Sequence, residues 1–422
     1  MGVHVVGAGE VLWRIARKYG VSVESIVAVN GLASASVIVP GLALYIPDGG
    51  MGARVYRVRA GDVLWKIARF FGTTVSAIAG ANPGLDVNRL RIGQVLVVPS
   101  PVKLAIRTVG FLVPSGGAAD LGIIDQLAGQ LTYVAVVNYS ITAQGYAFAE
   151  RDDSAIVAKC KQERIVPLLM IRNMTSSGFS AELAGSVLGN SAFRENLVAS
   201  IVNLASSRGF GGVSLDLEFI PPARRNDFSL FLRELKKRLG WLLLHVNVHA
   251  KTEDLPANRI VGAYDYAAIG DVADLMAVMT IDYGYPGGPP DAVSPIDWVE
   301  RVVAYAVRLV SPRKLVMAMP LYGYDKVAPT NATRGLSVLA AQNQAISLGR
   351  SILFDAAAQS PWYVYRSGTE EHIVWFEDIR SYVKKYELID EYNLAGATYW
   401  QVGLSAPQNW AYVAREIAVV KR

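Results

Sequence analysis

The sequence predicts an α/β protein: a parallel (β/α)8 barrel with a small α+β insertion, preceded by two βααβ units. Three observations carry that reading. From about residue 102, eight apolar strand-like runs alternate with amphipathic helical stretches over about 320 residues. The first hundred residues repeat one pattern at a fixed offset, and the segment before the last strand run is too long for a single helix.

The repeat comes first along the chain. Gly9-Glu10-Val11-Leu12-Trp13-Arg14-Ile15-Ala16-Arg17 returns as Gly61-Asp62-Val63-Leu64-Trp65-Lys66-Ile67-Ala68-Arg69, Asn30 as Asn82, and Ile46-Pro47 as Val98-Pro99, each 52 residues on. A constant period over separated landmarks means two copies of one folding unit. Each copy reads as a short strand, an acid near a helix start, an amphipathic helix, a second helix ending at Asn, and a closing strand at Ala43–Ile46 or Val95–Val98. Trp13, Ile15, Trp65 and Ile67 are expected in the cores. The expected domains are residues 1–49, 50–100 and 101–422, with Gly49-Gly50-Met51-Gly52 as linker and Pro99-Ser100-Pro101 as hinge.

The barrel strands are expected at Ala105–Phe111, Tyr133–Asn138, Val166–Ile171, Gly212–Glu218, Leu243–Ala250, Leu275–Thr280, Lys314–Pro320 and Gly396–Gln401. Helices are expected at Ser191–Ser207, Arg224–Leu239 and Pro295–Leu309 between them. The insertion falls between about 321 and 380 and is expected to wall a cleft. In the fourth strand, alternation points Ser214, Asp216 and Glu218 one way and Val213, Leu215, Leu217 and Phe219 the other. Two carboxylates in one confined space at a strand end push one pKa upward, which is how a proton donor is made.

Composition excludes several classes. With 52% hydrophobic and 18% charged residues the chain is globular, and it has no uninterrupted apolar run of about 20 residues, so no membrane span is expected. The first residues lack the basic head and long apolar block of a secretory signal. A single cysteine, Cys160, excludes an intramolecular disulfide framework and a multi-cysteine metal site; it is expected as a small helix residue. His4, His245, His249 and His372 show no zinc or nucleophile–base pattern, and no metal or cofactor is expected. The net charge of +5 lies wholly in residues 1–100, with ten Lys/Arg against five Asp/Glu, leaving 31 against 31 elsewhere. Without clustered basic runs this points to an acidic polymer and not to nucleic acid.

Both N-terminal copies resemble lysin motif (LysM) domains, with the G-[DE]-x-L-W-x-I-A signature. That family binds N-acetylglucosamine backbones of peptidoglycan or chitin. The resemblance implies sugar contacts near Gly9, Glu10, Leu12 and Asn30, and near Gly61, Asp62, Leu64 and Asn82. Tandem weak modules gain through effective concentration on a repetitive polymer.

The barrel resembles glycoside hydrolase family 18, whose fourth strand carries D-G-x-[DN]-x-D-x-E, here Gly211 to Glu218. The resemblance implies Glu218 as general acid/base and Asp216 as the group orienting the substrate's acetamido function, with the substrate's own carbonyl oxygen as nucleophile. It also implies Asp282 at the sixth strand, in Met279-Thr280-Ile281-Asp282, and a sugar floor at Trp400. Met279 and Asn138 are further expected substrate contacts. Ile281 stands where the family has Tyr, and Ser214 where it has Asp/Asn; Tyr283, two residues on and so on the same strand face, is the expected substitute hydroxyl. The whole chain is similar to the spore germination N-acetylglucosaminidases, which implies a cortex peptidoglycan substrate and a protein made in the cytoplasm and deposited at the spore cortex and coat. Ile281 and Ser214 leave open a non-catalytic peptidoglycan-binding coat protein, and the family leaves open a chitinase.

Overall fold

Eight parallel strands close into a barrel in chain order: Leu104–Leu112, Tyr133–Ile141, Val166–Arg172, Gly212–Asp216, Leu243–His249, Leu275–Met279, Leu315–Pro320 and Gly396–Trp400. The last pairs back onto the first, with Tyr399 opposite Gly110. This is a computed structural model describing residues 2–47 and 52–421. Gly49, Gly50 and Met51 of the expected linker lie outside the described residues.

The strands read as continuous apolar runs because both faces are covered. All nine residues of the second strand, five of the fourth and six of the seventh are buried. Val213, Leu215 and Leu217 join the shell between strands and helices, while Phe111, Tyr133, Met170 and Ala277 fill the barrel interior against Trp400. Gly396 is required by a close approach: a Cβ there would stand 1.7 Å from the Arg107 carbonyl oxygen. The expected helix at Ser191–Ser207 is present, capped by the Asn190 side chain, which accepts from the Ala192 and Phe193 N–H groups. The next two run Arg225–Leu239 and Ile296–Ala306. Cys160 is buried within the helix Ser154–Gln162.

After the seventh strand the chain builds the inserted lobe. It is a five-stranded antiparallel sheet, from Tyr322–Ala328 to Glu370–Trp375, with one helix at Val338–Ser347.

In each N-terminal repeat two short strands pair antiparallel around two helices: Gly2–Val5 with Ala43–Ile46, and Ala53–Arg57 with Val95–Pro99. Leu12, Ile15 and Ala16 bury one helix face, as do Leu64, Ile67 and Ala68. Trp13 and Trp65 do not belong to that core: they are 54% and 55% exposed. Each stands one residue past the buried leucine, about 100° round the helix from it. Ser100, expected in a hinge, is buried and donates to the Phe71 carbonyl.

Both repeats dock along the side of the barrel formed by its last two helices, Ile379–Glu391 and Pro407–Glu416. Barrel helices run antiparallel to the strands, so the helix Ile379–Glu391 starts at the strands' C-terminal end and finishes at their N-terminal end. The first repeat meets its start, where Arg380 donates to the Gly41 carbonyl. The second meets its last turn, at Asp390 and Glu391.

Candidate active site

The fourth strand ends at Asp216, two residues short of the expected Glu218. Phe219 has φ 54, and this left-handed turn carries Glu218 off the strand. Two side chains fix the turn. Asn173 accepts from the Glu218 N–H at 2.8 Å and donates to its carbonyl at 2.8 Å, and the Tyr264 hydroxyl donates to the Leu217 carbonyl at 2.8 Å.

Asp216 and Glu218 open into one cleft of about 750 Å³ at the strands' C-terminal ends. Phe111, Met170 and Trp400 line its base, with the Phe111 and Trp400 rings 5.5 Å apart. Met279 and Ile281 line one side, and His249, Arg259, Ile260 and Val261 another. Burial, then the charge of Glu218, push Asp216 well above the usual carboxylate range, against a pull from Arg172. The raised carboxyl is thus Asp216, which keeps a proton where an exposed aspartate is ionised. Ser214 is tied to the fifth strand, 2.9 Å from His245 Nδ1 and accepting from Asn247 at 3.3 Å. Burial pushes His245 down to about 3, so the ring is neutral.

Three histidines stand against acids although their spacing gave no sign of it. His249 Nε2 lies 3.3 Å from Glu218 Oε2 without hydrogen-bond alignment, His4 contacts Glu10 at 2.9 Å, and His372 contacts Asp325 at 2.8 Å. Among the described residues no group of three or more His, Cys, Asp or Glu is placed to hold a metal ion.

Asp282 lines the cleft beyond the sixth strand, held by two phenols. Tyr322 and Tyr324, on the first strand of the inserted lobe, donate to its Oδ1 at 2.7 and 2.8 Å. Burial raises its pKa, opposed by those hydroxyls and helped by Glu218. The same lobe strand sends buried Lys326 to the carbonyls of Gly284, Tyr285, Gly288 and Pro289, pinning the loop whose Tyr285 and Pro286 wall the cleft. Tyr283 is not part of this wall. The strand stops at Met279 and Asp282 has φ 57, so strand parity does not extend to Tyr283, which is 45% exposed and packs on Trp298. Asn138 is also diverted: buried, it donates to the Arg151 carbonyl and to Asp153, away from the cleft.

In the repeats the expected sugar contacts divide. Leu12 and Leu64 are core residues, 2% and 3% exposed. Asn30 is fully buried, and Asn82 makes the same internal clamp: each bonds the carbonyl four residues back and both backbone groups of the closing strand, at Tyr45 or Val97. Glu10 accepts from the Gly7 N–H, and Asp62 from the Arg59 N–H and the Tyr56 hydroxyl, so these acids close their own loops. Gly9 and Gly61 stay exposed at the loop tips, with φ 74 and 83.

Asn173, Tyr264, His249, Tyr322, Tyr324 and Lys326 were missed by sequence reasoning. Only the run Pro320-Leu321-Tyr322-Gly323-Tyr324-Asp325 offered a signal, a pair of tyrosines two apart just after a barrel strand.

The chain matches the family model for glycosyl hydrolases family 18 over residues 141–404, and that for the LysM domain over residues 4–47 and 56–99. It is 36% identical to YdhD of Bacillus subtilis (strain 168) over 97% of each chain. It is 30% identical to the cortical fragment-lytic enzyme of Bacillus cereus, over 99% of this chain and 98% of the relative. The crystal structure of the Bacillus cereus spore cortex-lytic enzyme SleL superposes with a TM-score of 0.87 at 30% identity, covering 100% of this chain and 98% of that one.

Proposed function

The chain belongs to glycosyl hydrolases family 18, and from that premise we propose that it cleaves spore cortex peptidoglycan after N-acetylglucosamine by a retaining, substrate-assisted route. It is a glycoside hydrolase with two LysM domains anchoring it to the glycan. The observation that carries the residue roles is the acid pair over an aromatic base: Asp216 with a raised pKa, Glu218 beside it on a clamped turn, and Trp400 below.

Glu218 donates its proton to the glycosidic oxygen as the bond from that oxygen to the anomeric carbon breaks. The acetamido carbonyl oxygen of the N-acetylglucosamine attacks the anomeric carbon from the other face, closing an oxazolinium ring. Asp216 passes its proton to Glu218 before the bond breaks and then, as the carboxylate, accepts from the acetamido N–H and carries the counter-charge to that ring. Glu218 then takes a proton from water, whose oxygen attacks the anomeric carbon and restores the acetamido group with net retention. Trp400 offers an indole face to the pyranose, and Asp282, held by Tyr322 and Tyr324, borders the same sugar. The exposed loop tips at Gly9 and Gly61 offer backbone groups to the polymer.

Wild type and Glu218→Gln, incubated with purified cortex fragments and with chitin oligomers, test this through the release of new reducing ends. Loss of the acid is expected to lower kcat by about 10³-fold. Equal rates for the two proteins, or no release by wild type, would remove the enzymatic reading.

A further inference from the structure

The turn that lifts Glu218 off the fourth strand is clamped through its backbone, at the Glu218 N–H and carbonyl and at the Leu217 carbonyl. Those bonds leave the carboxyl itself free to rotate. The side chain placed to hold it is His249, at the end of the fifth strand: Nε2 lies 3.3 Å from Glu218 Oε2, and the two side chains are only 19% and 16% exposed. Nε2 is buried and has no hydrogen-bond partner. Three aromatic residues fix the ring. Phe219 and Tyr264 lay theirs 5.3 and 5.5 Å from it, and the Tyr266 hydroxyl donates to the His249 carbonyl at 2.7 Å. Tyr264 is also the residue whose hydroxyl closes the Glu218 turn, and the left-handed step at Phe219 that carries Glu218 into the cleft carries the Phe219 ring onto His249. Imidazole and carboxyl are therefore set against each other by the same two residues.

Glu218 is a neutral acid when the sugar is in place and a carboxylate once the glycosidic oxygen has its proton. An N–H aimed at Oε2 bonds the second form about twice as strongly as the first, so its gain falls in the transition state. It also settles which oxygen carries the proton: with a donor on Oε2, the proton rides on Oε1. The contact is not aligned in the free protein, and contacts of this kind tighten when substrate fills the cleft. We propose that His249 is a positioning residue that holds Glu218 through an Nε2–H to Oε2, so that the acid presents its Oε1 proton to the glycosidic oxygen and is stabilised as that proton leaves. This rests on the assignment of Glu218 as the acid.

The test uses the full chain as wild type, His249→Phe, His249→Gln and Glu218→Gln. His249→Phe keeps an aromatic ring between Phe219 and Tyr264 without the donor, and His249→Gln restores an N–H. The probes are β-glycosides of the disaccharide N-acetylmuramyl-N-acetylglucosamine with phenol or dinitrophenol as leaving group; dinitrophenolate departs without a proton, whereas phenol needs one. His249→Phe is expected to lower kcat/KM about tenfold or more on the phenyl glycoside and less than about twofold on the dinitrophenyl one, with His249→Gln recovering most of the loss. The ratio of the two rates on one preparation does not depend on how much of it is folded. Equal falls on both, or no fall on the phenyl glycoside, overturn the role of His249, while a Glu218→Gln fall confined to the phenyl glycoside leaves the acid standing. A Glu218→Gln protein that loses both rates equally or neither, or a wild type that frees neither phenol, overturns the acid assignment and this one with it.

Discussion

Asn30 and Asn82 hold the same place in the two repeats and make the same internal clamp, yet the barrel closes around one and leaves the other at the surface. Gln408 donates to Asn30 Oδ1 and to the Ala43 carbonyl, Gln342 to the Asn30 carbonyl, and Asn343 to the Gly31 carbonyl. Leu12, Ile15, Ile26 and Leu44 of the first repeat share one apolar cluster with Ala341, Tyr363 and Phe376 of the inserted lobe. The second repeat keeps its own cluster, from Val58 to Val98, and meets the barrel through charge: Arg54 to Asp390, and Arg57 to Glu391. A duplicated unit has thus become a fixed part of the catalytic lobe in one copy and a docked module in the other. The lobe that the first copy braces also supplies Tyr322, Tyr324 and Lys326 to the cleft, so that docking surface lies one layer from the chemistry.

The largest effect is expected from cutting the two asparagines. Asn30→Ala strips partners from the buried Tyr45 N–H, the Ile26 carbonyl and Gln408, and should cost about 3 kcal/mol of the main thermal transition. Asn82→Ala removes three bonds near solvent and should cost about 1 kcal/mol of the second repeat alone. Calorimetry of the two variants reads the difference, and equal losses in one shared transition would dissolve the contrast.

A smaller effect follows at the charged seam. Asp390 accepts two bonds from Arg54, at 2.7 and 2.8 Å, and one from the Val55 N–H, with both side chains mostly buried. Asp390→Ala leaves the guanidinium without its carboxylate and should weaken docking by about 2 kcal/mol. The second repeat is then expected to melt apart from the barrel, while turnover of a soluble tetrasaccharide stays at the wild-type level. A fall in that turnover would mean that this seam, too, reaches the cleft.

What sequence could read here depended on how local the cause is. The eight strands were legible to within a residue or two at most ends because a strand buried on both faces is one apolar run. Glu218 and Tyr283 were placed on strands they do not occupy, since the left-handed turns at Phe219 and Asp282 break a parity that extends only while the ladder does. Trp13 and Trp65 were read with the buried face because they adjoin it, whereas the i, i+3, i+4 stripe was already filled by Leu12, Ile15 and Ala16. Asn30 and Asn82 were expected as sugar contacts from the LysM resemblance alone; their partners are the closing strand, 15 residues on. Asn173 and Lys326 act across 45 and about 40 residues, and nothing local marks them.

Acid should separate the repeats more gently. The Gly7 N–H, then His4, hold the Glu10 carboxyl below the usual carboxylate range. A group whose pKa is lower folded than unfolded contributes stability above its unfolded value, near the ordinary 4.3, and loses it as pH falls through the folded value. Asp325, in the lobe beneath, has the same sign: burial raises it, but Tyr365, His372 and Arg334 outweigh burial and leave it lowered. Acidification from pH 6 to pH 3 should therefore narrow the gap in Tm between wild type and Glu10→Gln. The gap is expected to be small throughout, because the Glu10 side chain is 37% exposed and its interactions are screened. A gap that widens toward pH 3 would mean that the loop is held by the neutral acid, and that His4 is not the partner that matters.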